Sequence, residues 1–416
     1  MPFYHAPGIY VEEISTGARP IMPVGTSTAA FVGVAPDSAK HLNESWAVNN
    51  WTEFVREFVG ESTTSTNLSN AVFGFFRNGG SRCYVVNVGK DQPISGGGKD
   101  RRGLDVLESV DEVAIIAAPG YTDAGSYEAL LTHCENLKDR VAILDCPEQV
   151  RRIDQLTKVA TVPAAPARRR GTGDTPPEST DTAEPEGLRP RNSVYAAAYF
   201  PWITVRDALL PRKDNMDNYV NVPPSGHLAG IYARSDGTRG VQKAPANEPI
   251  LGALNVSQRI TRAEQELLNP AGINCIRFFP REGILVWGAR TIAPESSEWR
   301  YLNVRRLFNM IEESIAISTR WVVFEPNDYP LWKSITRDVR AFLTLLWRDG
   351  ALMGQTPEEA FFIQCDEETN PPDIIDAGMV VTRIGIAPVK PAEFVVFRIG
   401  QHQRGAETTI EGGGRA

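Results

Sequence analysis

Residues that carry catalytic or metal chemistry are sparse in this 416-residue chain. Its five histidines (His5, His41, His133, His227, His402) lie far apart, with no H-E-x-x-H and no second ligand at helical spacing, so no metal site is expected. The five cysteines (Cys83, Cys134, Cys146, Cys275, Cys365) are odd in number and form no C-x-x-C pair. That excludes a disulfide framework or zinc knuckle and leaves buried thiols in a reducing compartment. Positive charge is not in excess: the net charge of −8 argues against a dedicated nucleic-acid binder. Long apolar runs are missing as well. The strongest, Val113 to Ala118, is too short to cross a bilayer, and membrane insertion is not expected. The opening Met1-Pro2-Phe3-Tyr4-His5-Ala6-Pro7-Gly8 has no basic region followed by an apolar run, so it does not read as a signal peptide, and a cytosolic site of synthesis is expected.

Catalytic signatures are equally thin. Gly96-Gly97-Gly98-Lys99-Asp100 lacks the first glycine of a phosphate loop, and Asp100 stands where a magnesium-holding hydroxyl would be, so it reads as a linker. There is no G-x-S-x-G elbow, and Ser225-Gly226-His227 reads as a turn. Asp145 follows an apolar strand, where open α/β sheets often place functional groups, yet one acid alone reads as a solvated loop carboxylate. No catalytic, cofactor-binding or metal-binding residue is assigned, and no cofactor is expected.

What is present is ordinary globular sequence, 42% hydrophobic and 23% charged, long enough for two or three domains. Pro2, Pro7 and Gly8 give an extended start, and Gly8-Ile9-Tyr10-Val11-Glu12-Glu13 holds a β-prone run. Thr28 to Val34, Cys83 to Val88, Glu112 to Ala118 and Arg140 to Leu144 read as buried strands. Leu68, Ala71, Val72, Phe75 and Phe76 recur at helical spacing after a Thr66 or Asn67 cap, and a second helix carries Leu130, Cys134 and Leu137. Apolar strands without alternation, joined by helices, predict an α/β parallel sheet covered on both faces. Val150 to Val159 reads as a short helix. Residues 163–192, rich in Pro, Arg, Thr, Glu and Gly and containing Arg168-Arg169-Arg170, predict a disordered loop. The sheet resumes at Ser193 to Val205. Further on, strands are expected at Ile273 to Phe279, Ile284 to Trp287, Ala360 to Cys365, Met379 to Ile386 and Phe394-Val395-Val396-Phe397-Arg398-Ile399. Between them, helices are marked by Val304, Leu307, Phe308 and Ile311, and by Trp332, Ile335, Val339, Phe342 and Leu346. At about 100° per residue, Lys333, Arg337, Arg340 and Arg348 share the face opposite those last apolar residues.

Several stretches resemble contractile phage tail sheath proteins. They include Ala6-Pro-Gly-Ile-Tyr-Val-Glu-Glu-Ile14, Val24-Gly-Thr-Ser-Thr-Ala-Ala-Phe-Val-Gly33 and Phe75-Phe-Arg-Asn-Gly-Gly-Ser-Arg-Cys-Tyr-Val-Val86. Later come Leu268-Asn-Pro-Ala-Gly-Ile-Asn274, Val286-Trp-Gly-Ala-Arg-Thr291, Asn303-Val-Arg-Arg-Leu-Phe308, Phe324-Glu-Pro-Asn327 and Gly385-Ile-Ala-Pro-Val-Lys-Pro-Ala-Glu-Phe394. The likeness is strong over the first ninety or so and last 170 residues and weak between them.

That resemblance implies a mixed α/β subunit made of an N-terminal arm (1–20), a discontinuous inner domain (21–94 and 251–399), an inserted outer domain (95–250) and a flexible tail (400–416). It implies self-assembly as stacked hexameric rings around an inner tube protein, with baseplate and terminator or cap proteins as further partners. Particles would assemble in the bacterial cytoplasm as part of a phage tail or tail-like device. Gly8 to Glu13 and Phe394 to Ile399 would add strands to neighbouring subunits. The basic face of Lys333, Arg337, Arg340 and Arg348 reads either as a solvated helix surface or as the tube contact, with Pro371 to Gly378 as another tube-facing candidate. Two other function classes remain open from sequence: an α/β enzyme using the middle sheet, and a non-contractile filament, scaffold or adhesin.

Overall fold

A computed structural model describes residues 20–62, 64–96, 101–160, 187–210 and 218–396. Gly8 to Glu13, Phe397 to Ile399, the tail from 400 and residues 163–186 of the expected loop lie outside the described residues.

Numbered along the chain, the largest sheet runs from edge to edge as β11 (Glu248–Pro249), β14 (Gly283–Trp287), β13 (Ile273–Phe279), β8 (Ala196–Phe200), β7 (Val141–Asp145), β6 (Ile115–Ala117), β1 (Ala29–Gly33), β3 (Cys83–Asn87) and β2 (Trp46–Val48). Every pairing from β13 to β3 is parallel. The outer pairings of β11, β14 and β2 are antiparallel. All residues of β1, β6, β7 and β8 are buried, as expected for strands covered on both faces.

One face packs under α1 (Trp51–Phe54), a π-helical turn (Val55–Val59), α2 (Asn67–Arg77) and α4 (Ser225–Arg239), around Phe31, Phe54, Phe58, Phe75, Tyr199 and Tyr232. A small sheet of β10 (Tyr219–Val222), β9 (Ile203–Arg206) and β12 (Ala253–Val256) joins that layer. The opposite face packs under α3 (Ala124–Leu137) and α5 (Arg262–Leu268), around Val32, Leu130, Leu131, Leu144 and Phe200. All five cysteines are free and buried.

The boundaries expected near 94 and 250 do not separate sheets, because β1 pairs with both β3 and β6, and β8 pairs with β13. The glycine-rich break lies on the crossover between β3 and β6, flanked by a small ladder of β4 (Ser95–Gly96) and β5 (Arg102–Gly103). A parallel crossover tolerates such a stretch without ending a domain.

Three other expectations change. Ser225-Gly226-His227 opens α4 and is not a turn. A Cβ at Gly226 would lie 2.3 Å from the Ala71 Cα, and one at Gly230 would lie 2.4 Å from the Phe75 carbonyl oxygen, so α4 meets α2 at backbone contact. The helix expected at Val150 to Val159 is a 3-10 segment, Ile153–Thr157. Residues 187–192, expected in the loop, are packed. Arg189 is buried and donates to the Ala271 and Ile292 carbonyls at 2.6 and 3.1 Å.

After the sheet comes a second body with its own core. It contains α6 (Leu302–Ser318), α7 (Tyr329–Arg348), α8 (Pro357–Ala360), α9 (Pro372–Asp376) and a two-stranded sheet of β15 (Phe361–Gln364) and β16 (Arg383–Ile386). β16 is the last part of the strand expected over 379–386. Leu307, Trp332, Val339, Phe342, Leu343 and Phe361 fill this core together with Ile21 from the N-terminal segment.

Candidate assembly interface

The strand ends come first, because an enzyme would use them. Asp145 ends β7 and is 2% exposed. Its Oδ1 accepts from the Ser225 backbone N–H at 2.9 Å, and its Oδ2 accepts from the Ser225 hydroxyl at 2.7 Å and the Gly120 N–H at 3.2 Å. Burial pushes its pKa up to about 6, against the downward pull of those hydrogen bonds. Asp145 is therefore not the solvated loop carboxylate expected from its position. It ties the start of α4 to the turn after β6, and both of its oxygens accept from the protein's own donors.

The second body presents a different surface. In α7 the Asp328 side chain caps the helix by accepting from the Leu331 N–H at 3.0 Å, and Pro330 fits the first turn. Trp332, Ile335, Val339, Phe342 and Leu346 point into the core. Lys333, Arg337, Arg340 and Arg348 are all exposed on the other face. Arg337 pairs with Asp338 at 3.0 Å, and Lys333 lies 4.9 Å from the Tyr329 ring centre. Just before α7, Phe324 is fully exposed at φ 70°, a left-handed conformation that phenylalanine rarely takes. Among the described residues the β15–β16 sheet has two strands, and Phe362 on β15 is 55% exposed.

Both ends of the described chain are held by buried arginines that sequence reading did not single out. On the N-terminal side, Arg306 of α6 donates to Asp236 of α4 at 3.0 and 2.5 Å and to the Thr26 carbonyl at 3.0 Å. Thr26 in turn donates its hydroxyl to Asp236 at 2.6 Å. The side chains of Arg306 and Asp236 are 3% and 6% exposed, so this is a buried pair joining the two bodies. On the C-terminal side, Glu393 accepts from Arg290 Nε at 2.9 Å and Nη2 at 2.7 Å, from Asn269 at 2.8 Å and from the Tyr301 hydroxyl at 3.2 Å. Burial raises its pKa, but the bonds and charge of Arg290 with those of Asn269 and Tyr301 outweigh that, and the net shift is downward. The next residues, Phe394, Val395 and Val396, are exposed and belong to no strand. Within the described residues, the terminal strand expected there has no ladder in its own subunit.

Two family descriptions match in tandem: "Phage tail sheath protein central domain" over residues 103–292 and "Phage tail sheath C-terminal domain" over residues 295–402. Together they take in well over half of the chain, and they meet where the sheet body gives way to the second body. The chain belongs to the contractile tail sheath family. Among curated sheath relatives, the tail sheath protein of Salmonella phage ViI is 27% identical over 311 residues, 74% of this chain and 46% of that protein. A putative prophage major tail sheath protein of Pseudomonas aeruginosa (strain UCBPP-PA14) is 27% identical over 183 residues, 42% of this chain and 45% of the relative. The sheath chain thus matches less than half the length of these curated relatives.

Likeness to solved sheath structures is longer. The sheath complex of PVC, an extracellular contractile injection system, in the contracted state, is 28% identical with a TM-score of 0.74, covering 97% of this chain and 99% of that one. The helical sheath of the anti-feeding prophage in its contracted state is 29% identical, with a TM-score of 0.70 over 96% of this sheath chain and 100% of that one. Both share its mixed α/β architecture.

Proposed function

We propose that this chain is a structural sheath subunit that polymerises as stacked hexameric rings around an inner tube and contracts to drive that tube through a target envelope. The observation that carries the proposal is the likeness over nearly the whole chain to a contracted injection-system sheath. The second body would form the wall next to the tube, with the large sheet outside it. Gly8 to Glu13 and the segment from Phe394 to Ile399 would extend the sheets of neighbouring copies, and the open β15–β16 sheet is the natural acceptor. The exposed face of Lys333, Arg337, Arg340 and Arg348 would meet acidic groups on the tube, strongly enough to hold register and weakly enough to release. Baseplate proteins would start the rings and a terminator would end them, with assembly in the bacterial cytoplasm. No nucleotide is consumed: two packings of the same subunits differ in free energy, and a barrier separates them.

The test is assembly. Purified chain should form hollow cylinders in negative stain, filled when the tube protein is co-expressed. Reversing Arg337 and Arg340 to Glu should give cylinders without tubes, and high salt should do the same to the parent. A chain that stays monomeric at all concentrations, with or without the tube protein, would sink the proposal. Cylinders found in one pitch only, never shortening on triggering, would favour a non-contractile filament.

A further inference from the structure

Three stretches distant in sequence converge on Glu393. Asn269 follows α5, Arg290 follows β14, and Tyr301 precedes α6. The Arg290 side chain is 5% exposed and grips both carboxylate oxygens as a planar fork, while Asn269 and Tyr301 take one oxygen each. Four charge-assisted bonds fill the acceptor capacity of a carboxylate. The grip is wired into the large sheet. The backbone N–H of Arg290 donates to Asn274 of β13 at 2.7 Å, and the fully buried Asn274 amide donates to the Arg290 and Ala198 carbonyls at 2.8 and 3.2 Å.

The chain reaches Glu393 from the other body. Pro388 bridges to Leu352, and the Val389 carbonyl accepts from Asn303 at 3.1 Å. Pro391 follows at once, so two prolines stiffen the short crossing from the second body to the sheet body. One residue beyond Glu393 the contacts stop: Phe394, Val395 and Val396 are 73%, 69% and 78% exposed. A chain held by four bonds at one residue and apolar and exposed at the next has the form of a tether fixed at its root.

We propose that Asn269, Arg290 and Tyr301 form a socket for Glu393 that fixes where the C-terminal arm leaves its subunit, so that a pull from a second copy of this chain reaches the large sheet through Arg290. This rests on the proposed arm exchange and adds its anchor. A point charge could not replace Arg290, because a lysine grips one oxygen only and loses the fork. Without the socket the crossing from 388 to 393 would hinge, and the arm would leave each subunit at a variable angle.

The experiment uses the full chain with Glu393→Gln, Arg290→Lys and Tyr301→Phe, beside a truncation ending at Glu393, which removes the whole arm. Circular dichroism and melting read the fold, hydrogen exchange of the unassembled subunit reads residues 389–396, and negative stain reads assembly. The expected result is a native spectrum for all three variants. Exchange across 389–393 should quicken by about tenfold in Glu393→Gln and Arg290→Lys, and by less in Tyr301→Phe. Cylinders should be lost or shortened in that same order. If the truncation abolishes assembly while both socket variants give cylinders of normal length, the anchor is wrong and arm exchange stands. If the truncated chain still assembles, arm exchange itself fails and takes the anchor with it. Loss of the native spectrum in Tyr301→Phe, which removes one peripheral hydrogen bond, would overturn the proposal by making the socket a folding element.

Discussion

The two bodies of this protein treat their β-sheets in opposite ways. The large sheet is finished. Its faces are covered by two apolar cores, and its edges are a three-residue strand, β2, and a two-residue strand, β11, that contains Pro249. Very short, proline-bearing edges discourage pairing with other chains. Among the described residues the sheet of the second body has two strands, and two strands are marginal alone. Around it Phe324, Leu345, Met353, Phe362 and Met379 stay exposed. The large-sheet body also exposes Leu254, Leu267 and Phe278, so the contrast lies in the strand edges: short at the large sheet, open at the small one among the described residues. The difference separates residues that fold the subunit from residues available to join it to others.

The comparison predicts where a mutation will register. Phe31→Ala, in the centre of the finished sheet, should cost about 3–5 kcal/mol in denaturant unfolding of the subunit. Phe362→Ala on the open sheet should cost well under half of that, because Phe362 is 55% exposed, yet it should weaken assembly. Equal losses of subunit stability would erase the distinction. At the junction, Arg306→Ala leaves the buried Asp236 without its cation and should cost about 3–5 kcal/mol. Near-wild-type melting of that variant would mean that the two bodies do not depend on this pair.

Asp145 gives a pH test confined to the finished body. Its folded pKa of about 6 lies above the usual 3.8, so protonation favours the fold. The contribution is full below about pH 4 and is lost as pH rises through about 6, by an amount on the order of 3 kcal/mol. Asp145→Asn should remove that slope, so the stability difference between variant and parent should shift in the variant's favour from pH 4 to pH 7. A shift the other way would mean that the Ser225 and Gly120 donors, helped by the α4 N-terminus, outweigh burial.

The smallest effect belongs to Phe324. Phe324→Gly relieves a left-handed residue that packs on nothing, and should change subunit stability by no more than about 1 kcal/mol, in the stabilising direction. If cylinders formed by this variant resist dissociation as well as those of the parent, the exposed ring takes no part in assembly.

Much of this was legible in the residues. Thr66 and the apolar spacing behind it mark α2, and the structure adds a capping box with Ser69. Asp328 and Pro330 mark α7 in the same way. Helix α4 was hidden because Ser225-Gly226-His227 reads as a turn, and the reason for Gly226 and Gly230 inside a helix, contact with α2, lies some 150 residues away. Asp145 was noticed in the wrong surroundings, since its partner Ser225 is distant in sequence. Asn269, Arg290 and Glu393 all sit inside recognised stretches, but no periodicity announces that three loops meet at one carboxylate. A glycine-rich crossover and a linker look alike in sequence, so the pairing of β1 with both β3 and β6 was not legible there.

The packed end of the expected loop has one more consequence. The Ala160 N–H donates to the Arg189 carbonyl at 2.7 Å, Val159 and Arg189 form a parallel bridge, and a Cβ at Gly187 would lie 2.3 Å from the Val159 carbonyl oxygen. The described residues on either side of 161–186 are thus stapled side by side on the large-sheet body. Whatever sequence is spliced between them must return to its starting place, at a closure cost that grows only slowly with length. That makes the site a ready graft point for foreign peptides or tags, in many copies if the proposed cylinder forms, provided the cut stops short of Gly187.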